Sequence, residues 1–218
     1  MQKKVAVILS GCGVFDGAEI HESVLTLLAL SSQGASYQCF APDIAQLHVV
    51  NHLTGEVMDG ETRNVLVEAA RIARGEIQAL NELDAKDFDA LILPGGFGAA
   101  KNLCDFALKG ADCQLHPQVL SACQAFARTG KPVGYLCIAP AMITKVYGPG
   151  VKLTIGTDQD TAAAIRQMGG EHQECQVEDI VVDEQHKVVT TPAYMLAQNI
   201  GEAATGINKL VDKVLELA

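Results

Sequence analysis

Short, almost wholly apolar segments alternate with segments of helical periodicity along this chain. Val5–Ser10, Ala90–Leu93 and Pro132–Cys137 are such apolar runs, and each one stops at a turn rich in glycine or proline. Strands that are apolar on both faces are typical of a parallel sheet covered by helices on both sides. The alternation therefore predicts one doubly wound α/β domain over residues 1–218, with any ligand at the carboxyl ends of the strands.

The remaining elements follow from periodicity and from residues that favour helix ends. A further strand is predicted at Ser36–Phe40. The predicted helices are Glu19–Gln33, Thr62–Ala73 with Thr62 as its N-cap, Pro117–Arg128, Asp158–Met168 and Leu196–Leu217. Ile180–Asp183 and Lys187–Thr190, joined by a short polar turn, predict a C-terminal β-hairpin. The stretch Pro42–Gly60 is longer than most strand-to-helix connections, and loops of this length are often functional.

Composition excludes several classes of partner. The net charge of −10 repels phosphate backbones and anionic lipid, and aromatic residues make up only 5% of the 218 residues, so nucleic acid and membranes are not expected partners. The N-terminal MQKK and the apolar run after it lack the pattern of a signal peptide, which predicts a cytoplasmic location. The seven cysteines form no CxxC pair, so we expect reduced thiols and no metal site.

Cys137 occupies the most informative position among these thiols. It ends an apolar strand, and Ala139 and Pro140 then begin a predicted helix, as in a nucleophile elbow. Backbone N–H groups at a helix N-terminus stabilise a thiolate. The alternative is a buried structural cysteine, because free cysteine is among the most buried residue types. Cys12, in a Gly-Cys-Gly turn, is the only rival for a place in a pocket.

Two other segments lie at predicted strand or helix ends. The turn formed by Pro94, Gly95 and Gly96 follows a buried strand, where glycine lets a backbone N–H approach a ligand. His21 and Glu22 begin the first helix, and the Glu22 carboxyl could reach over the sheet. The alternatives are a simple tight turn and a solvated acid favoured by the helix dipole.

Together, Glu22, the Pro-Gly-Gly turn and the segment Cys137–Pro140 resemble the PfpI-type branch of the class I glutamine amidotransferase-like superfamily. Blocks along the whole chain are similar to its ElbB-type glyoxalases, also described as isoprenoid biosynthesis or enhancing lycopene biosynthesis proteins. These blocks are SGCGVFDGAEIHE, NHLTGE, TRNVLVEAARIARGEI, LPGGFGAAKNL, CIAPAM, LTIGTD and TTPAYMLAQNI. The resemblance implies a flavodoxin-like three-layer sandwich, a homodimer, and conversion of glyoxal to glycolate by a lyase without a cofactor.

The chain departs from the family pattern in its histidines. Ile138 stands where many members have His directly after the Cys, and no His occurs in the segment 153–158. A complete Cys-His-acid triad is therefore not expected, and neither is amidase, protease or amidotransferase activity. Residues that could line the pocket are His21, Cys12, Asn51, His52, Phe97, Asn102, Thr157 and Tyr194.

Glyoxal chemistry can proceed without a triad. We expect Cys137 to add to an aldehyde as a thiolate, backbone N–H groups of Gly95, Gly96 and Ile138 to hold the alkoxide, and Glu22 to move a proton. Because two adjacent anions repel, one pKa of the Glu22–Cys137 pair must rise. Either Glu22 is protonated beside a thiolate, which the helix N-terminus favours, or Cys137 rests as a thiol, and the sequence allows both. The alternatives are a deglycase using the same thiol and a redox-sensing or regulatory protein of isoprenoid metabolism.

Overall fold

The computed structural model describes residues 2–218 and contains eleven strands. These are β1 (Lys4–Ile8), β2 (Ser36–Ala41), β3 (Val50–Asn51), β4 (Glu56–Val57), β5 (Ile77–Ala79), β6 (Ala90–Leu93), β7 (Val133–Leu136), β8 (Lys152–Leu153), β9 (Glu171–His172), β10 (Val181–Asp183) and β11 (Val188–Thr191). Seven of them form the central sheet in the order β10-β11-β7-β6-β1-β2-β5. All neighbours in it are parallel except the β10–β11 hairpin, which confirms the predicted mostly parallel sheet with a C-terminal hairpin.

Helices cover both faces of this sheet. They are α1 (Ile20–Ser32), α2 (Val65–Ile72), α3 (Phe106–Lys109), α4 (Pro117–Arg128), α5 (Ile143–Tyr147), α6 (Gln159–Gln167) and α7 (Ile200–Leu217). One core layer contains apolar side chains of α1, α2 and α7, and the other contains those of α4, α5 and α6. The predicted flavodoxin-like three-layer α/β sandwich is therefore confirmed. None of the helices within residues 2–218 is long and apolar enough to cross a bilayer.

Several predicted boundaries were wrong because local capping decides where a helix starts. Asn64 caps α2 by accepting the N–H of Val67 at 3.0 Å, so this helix begins at Val65 and not near Thr62. Asn199 caps α7, which begins at Ile200 and not at Leu196. The strands β3, β4, β5, β8 and β9 have only two or three residues each, too few to show a period of two.

The long connection over residues 42–60 is folded against the sheet. Its β3 and β4 pair with each other, and the Asp16 carboxylate accepts the N–H of Val50 at 2.7 Å. Asn102 further joins this connection to the loop after β1, since its amide accepts the N–H of Leu47 and donates to the carbonyl of Asp16. The connection is therefore held by hydrogen bonds to the loop that follows β1.

Gly206 lets α7 approach the hairpin side of the sheet. A Cβ at this position would lie 2.4 Å from the Val177 carbonyl oxygen and 2.5 Å from Oγ1 of Thr191. The first of these neighbours is backbone and cannot rotate away. Gly206 is therefore required by close packing, not by a turn.

We predict that Gly206→Ala lowers the free energy of unfolding by about 1–3 kcal/mol, because overpacking outweighs the gain in helix propensity. Gly201→Ala in the same helix is the matched control, since its Cβ meets only the flexible Asn199 side chain within 4 Å. Urea denaturation of both variants measures the difference. Equal stability of the two variants would contradict the packing role of Gly206.

Candidate active site

Cys137 follows β7 directly and has a backbone conformation that is unusual for any residue but glycine. Its φ is +59°, its N–H donates to the Thr191 carbonyl at 3.0 Å, and its side chain is buried. Such a conformation costs on the order of 1–3 kcal/mol and is concentrated at functional sites. The strand-to-turn geometry of a nucleophile elbow is therefore present, as predicted from the sequence.

Two backbone N–H groups point at the Cys137 sulfur. They belong to Gly96 and Ile138, and both favour its thiolate form. Gly96 has a φ of +91°, and a Cβ there would lie 2.4 Å from the backbone nitrogen of Glu19. Only glycine therefore allows the turn after β6 to bring its N–H to the sulfur.

The predicted helix after Cys137 is present but short. Ala139–Met142 form a single 3₁₀ turn, and α5 continues for only five residues, to Tyr147, before Gly148 ends it. A helix this short has little macrodipole, because the dipole is the sum of aligned peptide units. Stabilisation of a charged sulfur at this site therefore depends on the individual N–H groups of Gly96 and Ile138.

Glu22 lies in the first turn of α1 and is completely buried. Its Oε2 accepts the N–H of Gly95 at 2.9 Å, its Oε1 accepts the N–H of Tyr194 at 3.1 Å, and its carboxyl lies beside the Cys137 side chain. The pairing of Glu22 with Cys137 predicted from the sequence is thus present in the geometry. The Gly95 N–H was predicted to hold the alkoxide of the substrate, but it donates to the Glu22 carboxyl instead.

Gly95 also keeps this pair in contact. A Cβ on Gly95 would lie 2.5 Å from Cβ of Cys137 and 2.8 Å from Oε2 of Glu22. Any larger residue would push the two reactive side chains apart. The two glycines of the Pro-Gly-Gly turn therefore serve different side chains. The Gly95 N–H donates to the Glu22 carboxyl, and the Gly96 N–H faces the Cys137 sulfur.

Burial sets the protonation of this pair. It raises the pKa of Glu22 from 4.5 to about 7, with a further contribution from the neighbouring Glu19 carboxylate, although the N–H groups of Tyr194 and Gly95 and the Cys137 thiol oppose this rise. Burial, followed by the nearby Glu22 carboxylate, raises the pKa of Cys137 well above the ordinary thiol value. Of the two states that the sequence allows, these directions favour a resting thiol at Cys137.

A cavity of about 350 Å³ opens beside Cys137. Its lining comes from the ends of several elements: Val14, Glu19, Gly96, Phe97, Ala100, Phe106, Ala107, Cys137, Ile138, Asp158, Thr161, Tyr194 and Met195. Phe97 and Tyr194 were predicted to lie here, and they do. None of the residues 42–60 lines it, so the long connection does not limit the size of a bound molecule.

The predicted histidines lie outside this cavity. His21 is exposed, and its Nδ1 contacts the Tyr194 hydroxyl at 2.7 Å, so it reaches the site only through Tyr194. His52 Nε2 accepts the N–H of Phe15 at 3.2 Å and its Nδ1 contacts the Val50 carbonyl at 3.0 Å. No histidine is among the lining residues that the structure describes.

Four other predicted pocket residues also lie elsewhere. Cys12 borders a separate groove along α1, and burial raises the pKa of its thiol. Asn51 turns back within its own loop and accepts the N–H of Leu53, whereas Asn102 bridges buried loops. Thr157 is not in the lining, although Asp158 and Thr161 next to it are.

Eight of the thirteen lining residues were missed in the sequence, among them Glu19, Phe106 and Met195. Glu19 is the N-cap of α1, and its Oε2 accepts the N–H of Glu22 at 2.7 Å. Phe106 and Met195 belong to short helical turns without a clear period. An acidic residue three positions before the catalytic candidate was an available signal for Glu19. For the two apolar residues no comparable signal exists.

Groups of three or more His, Cys, Asp or Glu side chains able to hold a metal ion do not occur among residues 2–218.

Comparison with family models gives no match for this chain. Curated relatives are nevertheless similar over nearly its full length. The human glutamine amidotransferase-like class 1 domain-containing protein 3, mitochondrial, is 48% identical over 98% of this chain and 83% of its own. The rat ES1 protein homolog, mitochondrial, is 46% identical over 98% of this chain and 84% of its own. These names place the relatives in mitochondria, and a cytoplasmic location for this chain stays a prediction.

Solved structures extend the similarity to the whole fold. An isoprenoid biosynthesis protein with an amidotransferase-like domain from Ehrlichia chaffeensis superposes with a TM-score of 0.92 at 35% identity, covering 99% of both chains. DJ-1beta of Drosophila melanogaster superposes with a TM-score of 0.56 at 17% identity over 100% of this chain and 96% of its own, which shows a shared fold.

The buried Glu22 makes stability depend on pH. Between its unfolded pKa near 4.5 and its folded pKa near 7, the folded chain holds a proton that the unfolded chain has released. The free energy of unfolding therefore falls as pH rises through this interval, by on the order of 3 kcal/mol from this group. The Gln side chain in Glu22→Gln cannot titrate, so the free energy of unfolding of this variant should not show the fall that comes from Glu22.

Urea denaturation of the wild type and Glu22→Gln at about pH 5 and about pH 8 tests this expectation. Glu22→Gln is destabilised at both values, because one backbone N–H then faces an amide NH₂ group. The informative quantity is the difference in the free energy of unfolding between the two proteins, compared at the two pH values. Stability curves that run parallel across this range would show that Glu22 is ionised in the folded chain.

Proposed function

Because this chain belongs to the ES1 family of class 1 glutamine amidotransferase-like proteins, we propose that it is a cysteine-dependent enzyme that converts glyoxal to glycolate. The observation that carries the proposal is the buried Glu22 carboxyl beside Cys137, whose side chain lines a cavity. A carboxyl with a pKa near 7 is suited to exchange protons at neutral pH.

The first step forms a carbon–sulfur bond. The Glu22 carboxylate takes the thiol proton of Cys137 as the sulfur adds to one aldehyde carbon. The N–H groups of Gly96 and Ile138, which face the sulfur, stabilise the oxygen that becomes negative. Glu22 then returns the proton to this oxygen, which gives a hemithioacetal and restores the carboxylate.

The second step moves hydrogen between the two carbons. Glu22 removes the proton from the carbon bonded to sulfur, which gives an enediolate, and delivers it to the neighbouring carbon. The hydroxyl proton of the hemithioacetal passes to the oxygen of that neighbouring carbon, which leaves a carbonyl at the carbon bonded to sulfur. One carbon is thereby oxidised to a thioester and the other is reduced to an alcohol. Water cleaves the thioester, so glycolate leaves and the Cys137 thiol is restored. Glyoxal and water account for all atoms and electrons of glycolate, and the reaction needs no external oxidant or cofactor.

Deglycation is the enzymatic alternative. A thiol that adds to glyoxal can also exchange with hemithioacetals or hemiaminals already formed on thiols and amines. Both reactions would use the same pair, so the geometry does not separate them. An assay with and without added amines or thiols separates the two reactions.

Redox sensing has less support from the geometry. Sulfenic acid forms most readily at a low-pKa, accessible thiol. Cys137 is only 7% exposed, and burial raises its pKa. A homodimer remains an expectation from the family resemblance.

We predict that Cys137→Ser lowers glyoxal turnover by at least about a thousandfold, because a hydroxyl is a much weaker nucleophile at neutral pH. The fold should survive, since serine keeps the volume of the side chain. Cys12→Ser is the matched control, because Cys12 borders another groove and should leave turnover unchanged. Glycolate release and far-UV circular dichroism measure the two effects. Unchanged turnover in folded Cys137→Ser would refute the proposal.

The deglycase alternative predicts a different dependence on added nucleophiles. A glyoxalase consumes glyoxal in a phosphate buffer that contains no amine or small thiol, at a rate proportional to enzyme. A deglycase shows no glycolate release there and gains activity only after an amine or thiol is preincubated with glyoxal. The proposal expects glycolate release in the first condition.

A further inference from the structure

Glu19 is a buried acidic residue of the cavity beside Cys137 and takes no part in the two steps described above. It is 8% exposed, and its side chain lines the same cavity as the reactive sulfur. No Lys, Arg or His lines this cavity within residues 2–218, so the carboxyl has no cationic partner there. Burial of an acidic group without such a partner costs free energy, and exceptions of this kind are concentrated at functional sites.

The role of Glu19 as the N-cap of α1 uses only one of its two oxygens. Oε2 accepts the N–H of Glu22 at 2.7 Å, whereas Oε1 has no hydrogen-bond partner in the part of the chain that the structure describes. Helix N-caps are usually Ser, Thr, Asp, Asn or Gly, and the shorter polar side chains suffice for this contact. The cap therefore does not explain a glutamate, and Oε1 is available to a water molecule in the cavity.

The backbone of Glu19 is fixed close to the reacting sulfur. Its N–H donates to the Gly95 carbonyl at 3.0 Å, and a Cβ on Gly96 would lie 2.4 Å from its nitrogen. The N–H of this same Gly96 faces the Cys137 sulfur. Glu19 is therefore next to the glycine that would hold the oxygen of a group bonded to the sulfur.

Asp158 is the other acidic residue that lines the cavity, but it is less suited to act as a base. It is exposed, and its Oδ1 accepts the N–H of Thr161 at 2.8 Å. The hydrogen bonds from Thr161 lower the pKa of the Asp158 carboxyl, which makes it a weaker base. Glu19 is the buried member of the two.

We propose that Glu19 is the general base that activates water for cleavage of the thioester on Cys137. The inference rests on the proposed function and assigns a residue to its last step. Both oxygens of Glu22 accept backbone N–H groups, whereas Glu19 keeps one oxygen free. Two carboxyl groups would thus divide the reaction, with Glu22 forming the thioester and Glu19 removing it.

The step balances without a further reactant. Oε1 of Glu19 takes a proton from water as the water oxygen bonds to the thioester carbon. The N–H groups of Gly96 and Ile138 stabilise the oxygen that becomes negative. The carbon–sulfur bond then breaks, and the proton on Glu19 passes to the Cys137 sulfur. Glycolic acid leaves and ionises in the solvent.

A single turnover with ¹³C-labelled glyoxal tests this assignment. Samples are quenched in acid and gel-filtered, so that the reversible hemithioacetal is lost and mass spectrometry measures the thioester on Cys137. For Glu19→Gln we expect first-turnover consumption of glyoxal within about threefold of the wild type, and loss of the label at least about a hundredfold slower. Hydroxylamine attacks thioesters without a base, so it should release the label from this variant as a hydroxamate.

Glu19→Asp separates catalysis from capping. Aspartate is a favoured N-cap and keeps the charge, but its shorter side chain withdraws the free oxygen from the cavity. We expect the thioester to accumulate in Glu19→Asp as it does in Glu19→Gln. Glu184→Gln, an exposed change on the hairpin turn, controls for net charge and should match the wild type. Cys137→Ser gives the background from Lys and Arg side chains that react with glyoxal.

The outcomes separate failure of this inference from failure of the proposed function. Loss of the label at the wild-type rate in Glu19→Gln or Glu19→Asp refutes only the inference. So does slower consumption of glyoxal without accumulated thioester, which would show that Glu19 acts only through Glu22, and so does accumulation in Asp158→Asn instead. A wild type that releases glycolate without any label on Cys137, or releases none, refutes the proposed function and this inference with it.

Discussion

The close approach of the buried Glu22 carboxyl and the Cys137 thiol is the interaction on which the rest of the site depends. A carboxyl without water is costly to bury unless its oxygens are paired. Here the N–H groups of Gly95 and Tyr194 occupy one oxygen each. The ends of β6 and β11 must therefore meet the first turn of α1 beside the sulfur at the end of β7.

This convergence explains the strained and glycine-rich backbone at the carboxyl edge of the sheet. Cys137 adopts a positive φ, and Gly95 and Gly96 pass so close to their neighbours that a Cβ would clash with the reactive pair or with α1. Such local strain persists only where the surrounding structure is rigid. Two apolar layers packed on a mostly parallel sheet supply that rigidity.

Patterns of residues sufficed for the features that depend on local sequence. The apolar runs located the central strands, and a cysteine between a strand and Ala139-Pro140 located the elbow. Glu22 could be singled out only through family resemblance, because an acidic residue at a helix start is ordinarily solvated. The Tyr194 N–H that holds Glu22 could not be predicted, since a backbone group 172 residues away carries no signal of side-chain type.

The length of the helix after Cys137 shows another limit. Pro140 marks a helix start, yet the pattern does not tell that Gly148 ends the helix so soon, and a helix of five residues has little dipole. Burial was equally invisible in the sequence, although it is the main cause that raises the pKa of the Cys137 thiol. Pocket residues such as Phe106 and Met195 become neighbours of Cys137 only through the tertiary fold.

Covalent participation of Cys137 is tested most directly by trapping its adduct. Wild-type enzyme would be mixed with stoichiometric ¹³C-labelled glyoxal, quenched in acid at successive times, digested and examined by mass spectrometry. The account predicts label on the Cys137 peptide at early times, which disappears as labelled glycolate is released. Labelled glycolate that forms while Cys137 stays unlabelled throughout would contradict it.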